Sequence, residues 1–164
     1  MKRYIRNAVD LNVNLDDTDY KRLLELAHDS RDPNVLRAVL EQEPDSDYIK
    51  DLIVANPRAP EDLVLALMEK GYPVDSDHRW DLARTTINPK ILAILAKDPE
   101  VGTRQNVLTN NHTPIADVIR LLNDGTPYAE YAFNLAALHR RNELPDEELI
   151  KLYRSDKIDY TLNG

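Results

Sequence analysis

The residues of this chain that could do chemistry are four histidines, several adjacent carboxylates and one tryptophan among basic side chains. The histidines stand at 28, 78, 112 and 139, so none has the three- or four-residue separation that places two imidazoles on one helix face for a metal ion. Adjacent acids at 16–17, 61–62 and 147–148 fall mainly at expected helix starts, where they favour the helix dipole. There is no cysteine to supply a thiolate. We therefore expect neither an enzyme, nor a metal site, nor a cofactor.

The tryptophan lies in the segment His78-Arg79-Trp80-Asp81, and Arg84 follows one turn later. An indole between guanidinium groups is a typical anchor of a protein interface, since the ring fills a pocket and the guanidinium reaches an acceptor. We predict partner contacts by Arg79, Trp80, Arg84 and Arg104. Two other interpretations stay open: Trp80 packs between helices while Arg79 is solvated, or the arginines form salt bridges between successive repeats.

Proline and leucine patterns predict the elements that would position these residues. Four similar segments, 60–68, 89–96, 114–122 and 145–153, each begin with proline and continue with an apolar stripe at helical spacing. Their starts are separated by 29, 25 and 31 residues, the length of a helix pair with its turns. Five prolines follow a residue that can cap a helix. These cappers are Asp32, Asn88, Asp98, Thr113 and Thr126.

The pattern predicts an all-α fold with about five helix-pair repeats. The expected helices are 18–29, 33–42, 46–55, 60–70, 77–86, 89–97, 100–109, 114–123, 128–140 and 145–155. Residues 1–14 are expected to form an arm or degenerate cap, 15–156 a single α-helical repeat domain, and 157–164 a tail. The repeat register is least regular over residues 30–56, where two successive helices resemble the same half of a repeat.

Short motifs resemble the variant leucine-rich repeat family. The segment Ala55-Asn56-Pro57 with Pro60 matches the turn motif of that family, and residues 26–29 and 95–98 match its closing element. The resemblance covers residues 20–155 and implies a right-handed α-solenoid related to HEAT and armadillo stacks. The units here are longer than in that family, which implies fully α-helical second helices, as in HEAT repeats. The resemblance brings no catalytic residue.

Charge and hydropathy bear on the partner and the compartment. The net charge is −8, and residues 15–75 alone carry −8. Such an excess repels phosphate backbones, so nucleic acid is not the expected partner. No run of 18 apolar residues occurs, and residues 1–6 lack the apolar core of a signal peptide. We expect a cytoplasmic protein that does not bind a membrane.

These observations favour a non-enzymatic protein–protein interaction module, an adaptor or inhibitor that binds another protein along the solenoid groove as a monomer or weak homo-oligomer. One alternative is a nucleic-acid-binding protein, similar to HEAT-like DNA glycosylases, that uses Trp80 and nearby arginines. Another is an acidic inhibitor of a nucleic-acid enzyme, encoded by a mobile element, in which residues 41–62 imitate phosphate.

Overall fold

The computed structural model describes residues 17–154, and within that range it contains ten α-helices and no strand. Each helix lies within two residues of its predicted bounds, which confirms the all-α fold. The predicted arm, 1–14, and the predicted tail, 157–164, lie outside the described residues. The helices are α1 (Asp17–Asp29), α2 (Pro33–Gln42), α3 (Asp47–Ala55), α4 (Glu61–Glu69), α5 (Ser76–Thr85), α6 (Pro89–Leu95), α7 (Val101–Thr109), α8 (Ile115–Leu122), α9 (Glu130–His139) and α10 (Asp146–Arg154).

Two of the five predicted capper–proline pairs start helices as expected. The Asp32 carboxylate accepts the Asn34 N–H, and the Asn88 amide oxygen accepts the Lys90 N–H, with proline at the first helical position of α2 and α6. Proline fits there because its missing N–H would have no partner within the helix. These two starts are therefore set by residues that are adjacent in sequence.

The capping prediction is wrong for Thr113 and Thr126. For Asp98, a capping hydrogen bond forms but lies one residue before the helix. The Thr113 hydroxyl donates to the Val107 carbonyl at 2.6 Å, and the Thr126 hydroxyl accepts from Arg104. Asp98 accepts the Glu100 N–H, one residue before α7 begins. Carbonyls and cations from other parts of the chain thus compete successfully for side-chain oxygens that could cap a helix.

The described chain divides into two compact units, residues 17–78 and 79–154, with the boundary inside α5. In the described part of unit 1, α3 contacts α1, α2 and α4. Apolar side chains on these helices, which recur at helical spacing, are fully buried where the helices meet. They include Leu23, Ala27, Leu36, Ile49 and Ile53.

Unit 2 is organised around α7, which contacts α6, α8 and α9. Its buried apolar side chains come from every helix between α5 and α10 and include Ala83, Leu92, Val107, Val118, Leu121, Ala136 and Leu152. None of the helices between residues 17 and 154 has the length and apolar character that crossing a bilayer requires.

An asparagine makes the same hydrogen bonds once in each unit. In unit 1, Asn56 donates to the carbonyls of Ala27 (3.1 Å) and Ser30 (2.7 Å), at the end of α1. In unit 2, Asn110 donates to the carbonyls of Ala83 (3.0 Å) and Thr86 (2.9 Å), at the end of α5. Each asparagine oxygen also accepts the N–H two residues later, at 2.9 Å.

The turns that receive these asparagines are also alike. The Asp32 N–H donates to the Ser30 hydroxyl and the Asn88 N–H to the Thr86 hydroxyl, both at 3.2 Å. The sequence offset between the two sets is 56 residues at the turns and 54 at the asparagines. The same side-chain chemistry therefore closes the turn after α1 and the turn after α5.

Candidate functional site

The candidate site lies in unit 2, where the part of α5 that begins at Arg79 lies against α7. Trp80 is 45% exposed, the largest side chain among the exposed apolar residues of the described chain. A Cβ added to Gly102 would stand 3.4 Å from Trp80 Cδ1 and 3.6 Å from Nε1, so this edge of the indole lies directly on the α7 backbone. The Trp80 carbonyl accepts a hydrogen bond from Asn106 at 2.9 Å. Both the ring and its backbone are thus held by α7, while almost half of the residue faces solvent.

Arg84 accompanies the exposed indole. Its guanidinium carbon lies 5.8 Å from the centre of the Trp80 ring, within the range of a cation–π contact. The same guanidinium donates to the Asp81 carboxylate at 2.7 Å, and both side chains are more than half exposed. The structure therefore brings Trp80 and Arg84 together on one accessible surface. We call the set Trp80, Asp81, Arg84 and Gly102 the Trp80 face.

Arg79 points into its own unit. Its Nε donates to the Asp98 carboxylate at 2.7 Å, with the arginine side chain 17% exposed and the aspartate side chain 4% exposed. A pair this buried is costly to break, because the remaining charge would be left without water or a counter-ion. Arg79 thus ties α5 to the turn that precedes α7.

Arg104 binds the same turn from α7. Its Nη1 donates to the carbonyls of Asp98 (2.7 Å) and Pro99 (3.0 Å), its Nη2 to the Thr126 hydroxyl, and its Nε to the Tyr128 hydroxyl. The side chain is 16% exposed. The two arginines therefore meet at Asp98, Arg79 at its carboxylate and Arg104 at its carbonyl, and neither guanidinium lies on the Trp80 face.

A tyrosine and an aspartate complete the surroundings of Arg104. Burial, followed by the hydrogen bond to Asp124, raises the pKa of Tyr128. Burial alone would raise the pKa of Asp124, but hydrogen bonds from Tyr128 and Thr126 and the charge of Arg104 outweigh it, so the pKa lies below its ordinary value. The hydrogen bond to Tyr128 raises the pKa of Arg104 further above neutrality. All three groups are thus stabilised in their usual charge states at neutral pH.

Sequence reasoning did not identify Asp98, Gly102, Asn106 or Tyr128 as parts of this region. The sequence predicts Asp98 to be a helix cap because proline follows it, and Gly102 is a small residue in an ordinary helical segment. Their partners, Arg79 and Trp80, lie 19 and 22 residues earlier in the sequence. The one sequence signal for these contacts is the proline periodicity, because it predicts that residues about one helix pair apart lie close together.

The Trp80 face is suited to recognition, since it offers a fixed aromatic ring, a cation over that ring and an exposed carboxylate. Within residues 17–154, no group of three or more histidine, aspartate or glutamate side chains is arranged to hold a metal ion.

Comparison of the chain with protein-family models, with curated proteins and with solved structures gives no match.

Proposed function

We propose that this protein is a non-enzymatic protein–protein interaction module whose partner docks on the Trp80 face. The observation that carries the proposal is the exposed indole of Trp80, which lies on the backbone at Gly102 and beneath the guanidinium of Arg84. Tryptophan and arginine are the side chains most enriched among residues that dominate binding energy at interfaces. An adaptor or an inhibitor would use the surface in the same way.

The low entropic cost of using this surface supports the proposal. A side chain that is ordered before binding loses little conformational freedom when a partner covers it. Trp80 has two side-chain torsions, its carbonyl is fixed by Asn106, and one edge of its ring is already covered by α7. A partner would therefore gain the burial of the remaining indole surface without ordering it first.

Arg79 and Arg104 contribute to the proposed site through position rather than contact. Each is more than four-fifths buried and bonded to the Asp98–Pro99 turn or its neighbours. That turn leads directly into α7, on which the indole lies. We propose that the two arginines hold the turn, and with it Gly102, against the helix that carries Trp80.

We also propose that the chain is a right-handed α-solenoid related to the variant leucine-rich repeat family. The matching hydrogen bonds of Asn56 and Asn110 support the repeat interpretation, because unrelated helix pairs have no reason to share them. Asn56 falls in the turn motif on which the resemblance depends, and Asn110 stands four residues before Pro114 just as Asn56 stands four residues before Pro60. In this proposal α1–α4 and α5–α8 are two copies of a double helix pair, and α9–α10 is a further pair.

A nucleic-acid partner is disfavoured by how the arginines of unit 2 are used. Such a partner requires basic side chains that converge around Trp80 and stay available for phosphates. In the described part of unit 2, five arginines each form an ion pair with an acid of the same unit. They are Arg79, Arg84, Arg104, Arg120 and Arg140.

A pull-down with matched variants tests the proposal. Tagged protein would be incubated with lysate of the organism that encodes the chain, with and without nuclease, and captured proteins identified by mass spectrometry. The test variant is Trp80→Ala, and the control is Ile87→Ala, which removes another exposed apolar side chain of unit 2 (72% exposed). Circular dichroism would confirm that both variants fold.

The proposal predicts a stoichiometric protein partner that survives nuclease, is retained by Ile87→Ala and is lost with Trp80→Ala. The purified partner should bind Trp80→Ala at least about tenfold more weakly than the wild type in calorimetry. Capture that depends on nucleic acid, or equal affinity of the two variants, would contradict the proposal.

A further inference from the structure

The turn between α8 and α9 contains the one Asp-Gly sequence of the chain, Asp124-Gly125. Aspartate followed by glycine can isomerise without an enzyme, because no side chain hinders the glycine nitrogen from reaching the neighbouring carboxyl carbon. Gly125 has a φ of +77°, and no atom outside its chain neighbours lies within 4 Å of where a Cβ would stand. Its N–H has no backbone acceptor among the described residues. The nitrogen that would act as the nucleophile is therefore sterically open.

The reaction needs only these two residues and water. The Gly125 nitrogen attacks the side-chain carboxyl carbon of Asp124 and forms a nitrogen–carbon bond. One carboxyl oxygen leaves as water, with its own proton and the proton of the N–H. Water then opens the resulting cyclic imide at either carbonyl. Opening at the former side-chain carbon restores aspartate, whereas opening at the main-chain carbonyl gives isoaspartate, whose backbone runs through the side chain and is one carbon longer.

The folded protein holds both oxygens of the Asp124 carboxylate. One oxygen accepts the Thr126 N–H at 2.8 Å. The other accepts the Tyr128 hydroxyl and lies 3.7 Å from the Arg104 Nε. Ring closure removes one oxygen and the negative charge, so it breaks part of this network and weakens the rest. The hydrogen bonds of the native turn therefore oppose the reaction.

The same contacts keep the carboxyl group of Asp124 ionised. Burial alone would raise its pKa, but the hydrogen bonds from Tyr128 and Thr126 and the charge of Arg104 outweigh burial and lower it. An ionised carboxylate reacts poorly with the glycine nitrogen, because its oxygen can leave as water only after protonation. The network thus slows isomerisation by a second route, which adds to the cost of breaking the hydrogen bonds.

We propose that Asp124-Gly125 is a site of spontaneous isoaspartate formation, and that the Tyr128 hydroxyl and its neighbours suppress the reaction in the folded protein. Unfolding of unit 2, or loss of the hydroxyl, releases the carboxylate and permits the reaction. The native network cannot re-form on isoaspartate, because the free carboxylate is then attached to Cα and the former side-chain carbon belongs to the backbone. Neither residue belongs to the Trp80 face, so the proposal is independent of the partner.

Peptide mapping by chromatography and mass spectrometry tests the proposal. Wild-type protein would be incubated at neutral pH in buffer and in denaturing urea, and a synthetic peptide of residues 120–129 in both solutions corrects for effects of urea. Isoaspartate has the mass of aspartate but a different retention time, and an enzyme that methylates isoaspartate identifies it. The comparison of folded with unfolded wild type needs no variant.

The test variant is Tyr128→Phe, which keeps a buried ring and removes its hydroxyl. The matched control is Tyr72→Phe, which removes a hydroxyl that bonds to Lys50 and Asp47 in unit 1. Circular dichroism, together with hydrogen exchange of α7 and α9, establishes that both variants fold as the wild type does.

We expect isoaspartate to accumulate at position 124 in the unfolded chain as fast as in the peptide, and at least about tenfold more slowly in the folded wild type. Tyr128→Phe should raise the rate in the folded protein about fivefold or more, whereas Tyr72→Phe should leave it within about twofold.

Three results would overturn the proposal. The first is an unfolded chain that forms no isoaspartate at position 124, which would show that the site is unreactive. The second is an equal rate in folded and unfolded wild type, and the third is an equal rate in folded Tyr128→Phe and Tyr72→Phe. Either of these two would show that the contacts of the carboxylate do not control the reaction.

Discussion

At the scale of single residues, buried polar side chains with several partners hold the helices of each unit together. Asn56 is 3% exposed and satisfies two carbonyls and one N–H in unit 1. An apolar side chain at this position could not satisfy them, and buried carbonyls without donors cost free energy. The asparagine thus links the end of α3 to the end of α1 through hydrogen bonds as well as through apolar packing.

Asn56→Ala should lower the free energy of unfolding by about 2–3 kcal/mol, because it leaves three backbone groups without their partner. Asn34→Ala, at an exposed position in α2, is the matched control and should change stability by less than about 0.5 kcal/mol. Urea denaturation followed by circular dichroism measures both. Equal effects of the two substitutions would show that the Asn56 bonds contribute nothing.

Thr103, in contrast to Asn56, is a buried polar residue whose side chain makes no hydrogen bond. It is 1% exposed, and its hydroxyl oxygen has no hydrogen-bond partner, whereas Ile49, 54 residues earlier, is apolar and fully buried. A hydroxyl that is buried without a partner is destabilising relative to a methyl group of the same shape.

Thr103→Val should therefore leave stability unchanged or raise the free energy of unfolding by up to about 1 kcal/mol. Thr109→Val is the control, since the Thr109 hydroxyl lies 3.2 Å from the carbonyls of Gln105 and Asn106, and it should not stabilise. Thermal melting of the two variants decides, and a loss of more than about 1 kcal/mol in Thr103→Val would contradict this prediction.

The lowered pKa of Asp124 predicts a pH dependence of stability. A carboxyl group with a lower pKa in the folded state than in the unfolded state stabilises the fold above its ordinary value of 3.8. That contribution is lost as the pH falls through the folded-state pKa. The difference in melting temperature between wild type and Asp124→Asn should be largest near neutral pH and shrink below about pH 4. A difference that is constant with pH would contradict the proposed role of the carboxylate.

At the scale of helices, the sequence predicts element positions well because the signals are local. The Asp32-Pro33 and Asn88-Pro89 pairs contain both the cap and the first helical residue, so the start of the helix needs no distant partner. Thr113 has the same kind of signal, but its hydroxyl donates to the Val107 carbonyl instead. The pairing of Arg79 with Asp98 likewise depends on how two helices pack. The sequence leaves a salt bridge open as one interpretation for Arg79, but it contains no signal that identifies Asp98 as the partner.

Removing the Asn88 cap tests whether residues adjacent in sequence set the start of α6. Asn88→Ala should lower the free energy of unfolding by about 1 kcal/mol, since the Lys90 N–H loses its acceptor at the positive end of α6. Asn88→Ser keeps a capping oxygen and should recover most of the loss. Chemical denaturation of both variants provides the comparison, and equal stability of the two would indicate that the cap is unimportant.

At the scale of the whole molecule, charge separates the two parts of the chain. Residues 15–75 carry a net charge of −8, whereas residues 76–164 carry −2. The Trp80 face belongs to the second, nearly neutral part. Composition predicts the charge imbalance, but only the structure shows that Tyr48 and Val74 are exposed within it.

The central claim is that a partner covers Trp80, and the chain offers a direct probe because Trp80 is its only tryptophan. We would titrate the wild-type protein with the purified partner and measure intrinsic fluorescence and its quenching by iodide, using a partner in which tryptophan is replaced or spectrally distinct. Burial of the indole should shift its emission to shorter wavelength and reduce iodide quenching severalfold at saturation. Calorimetric binding with an unchanged emission maximum and unchanged quenching would show that the partner docks elsewhere, and it would contradict the account.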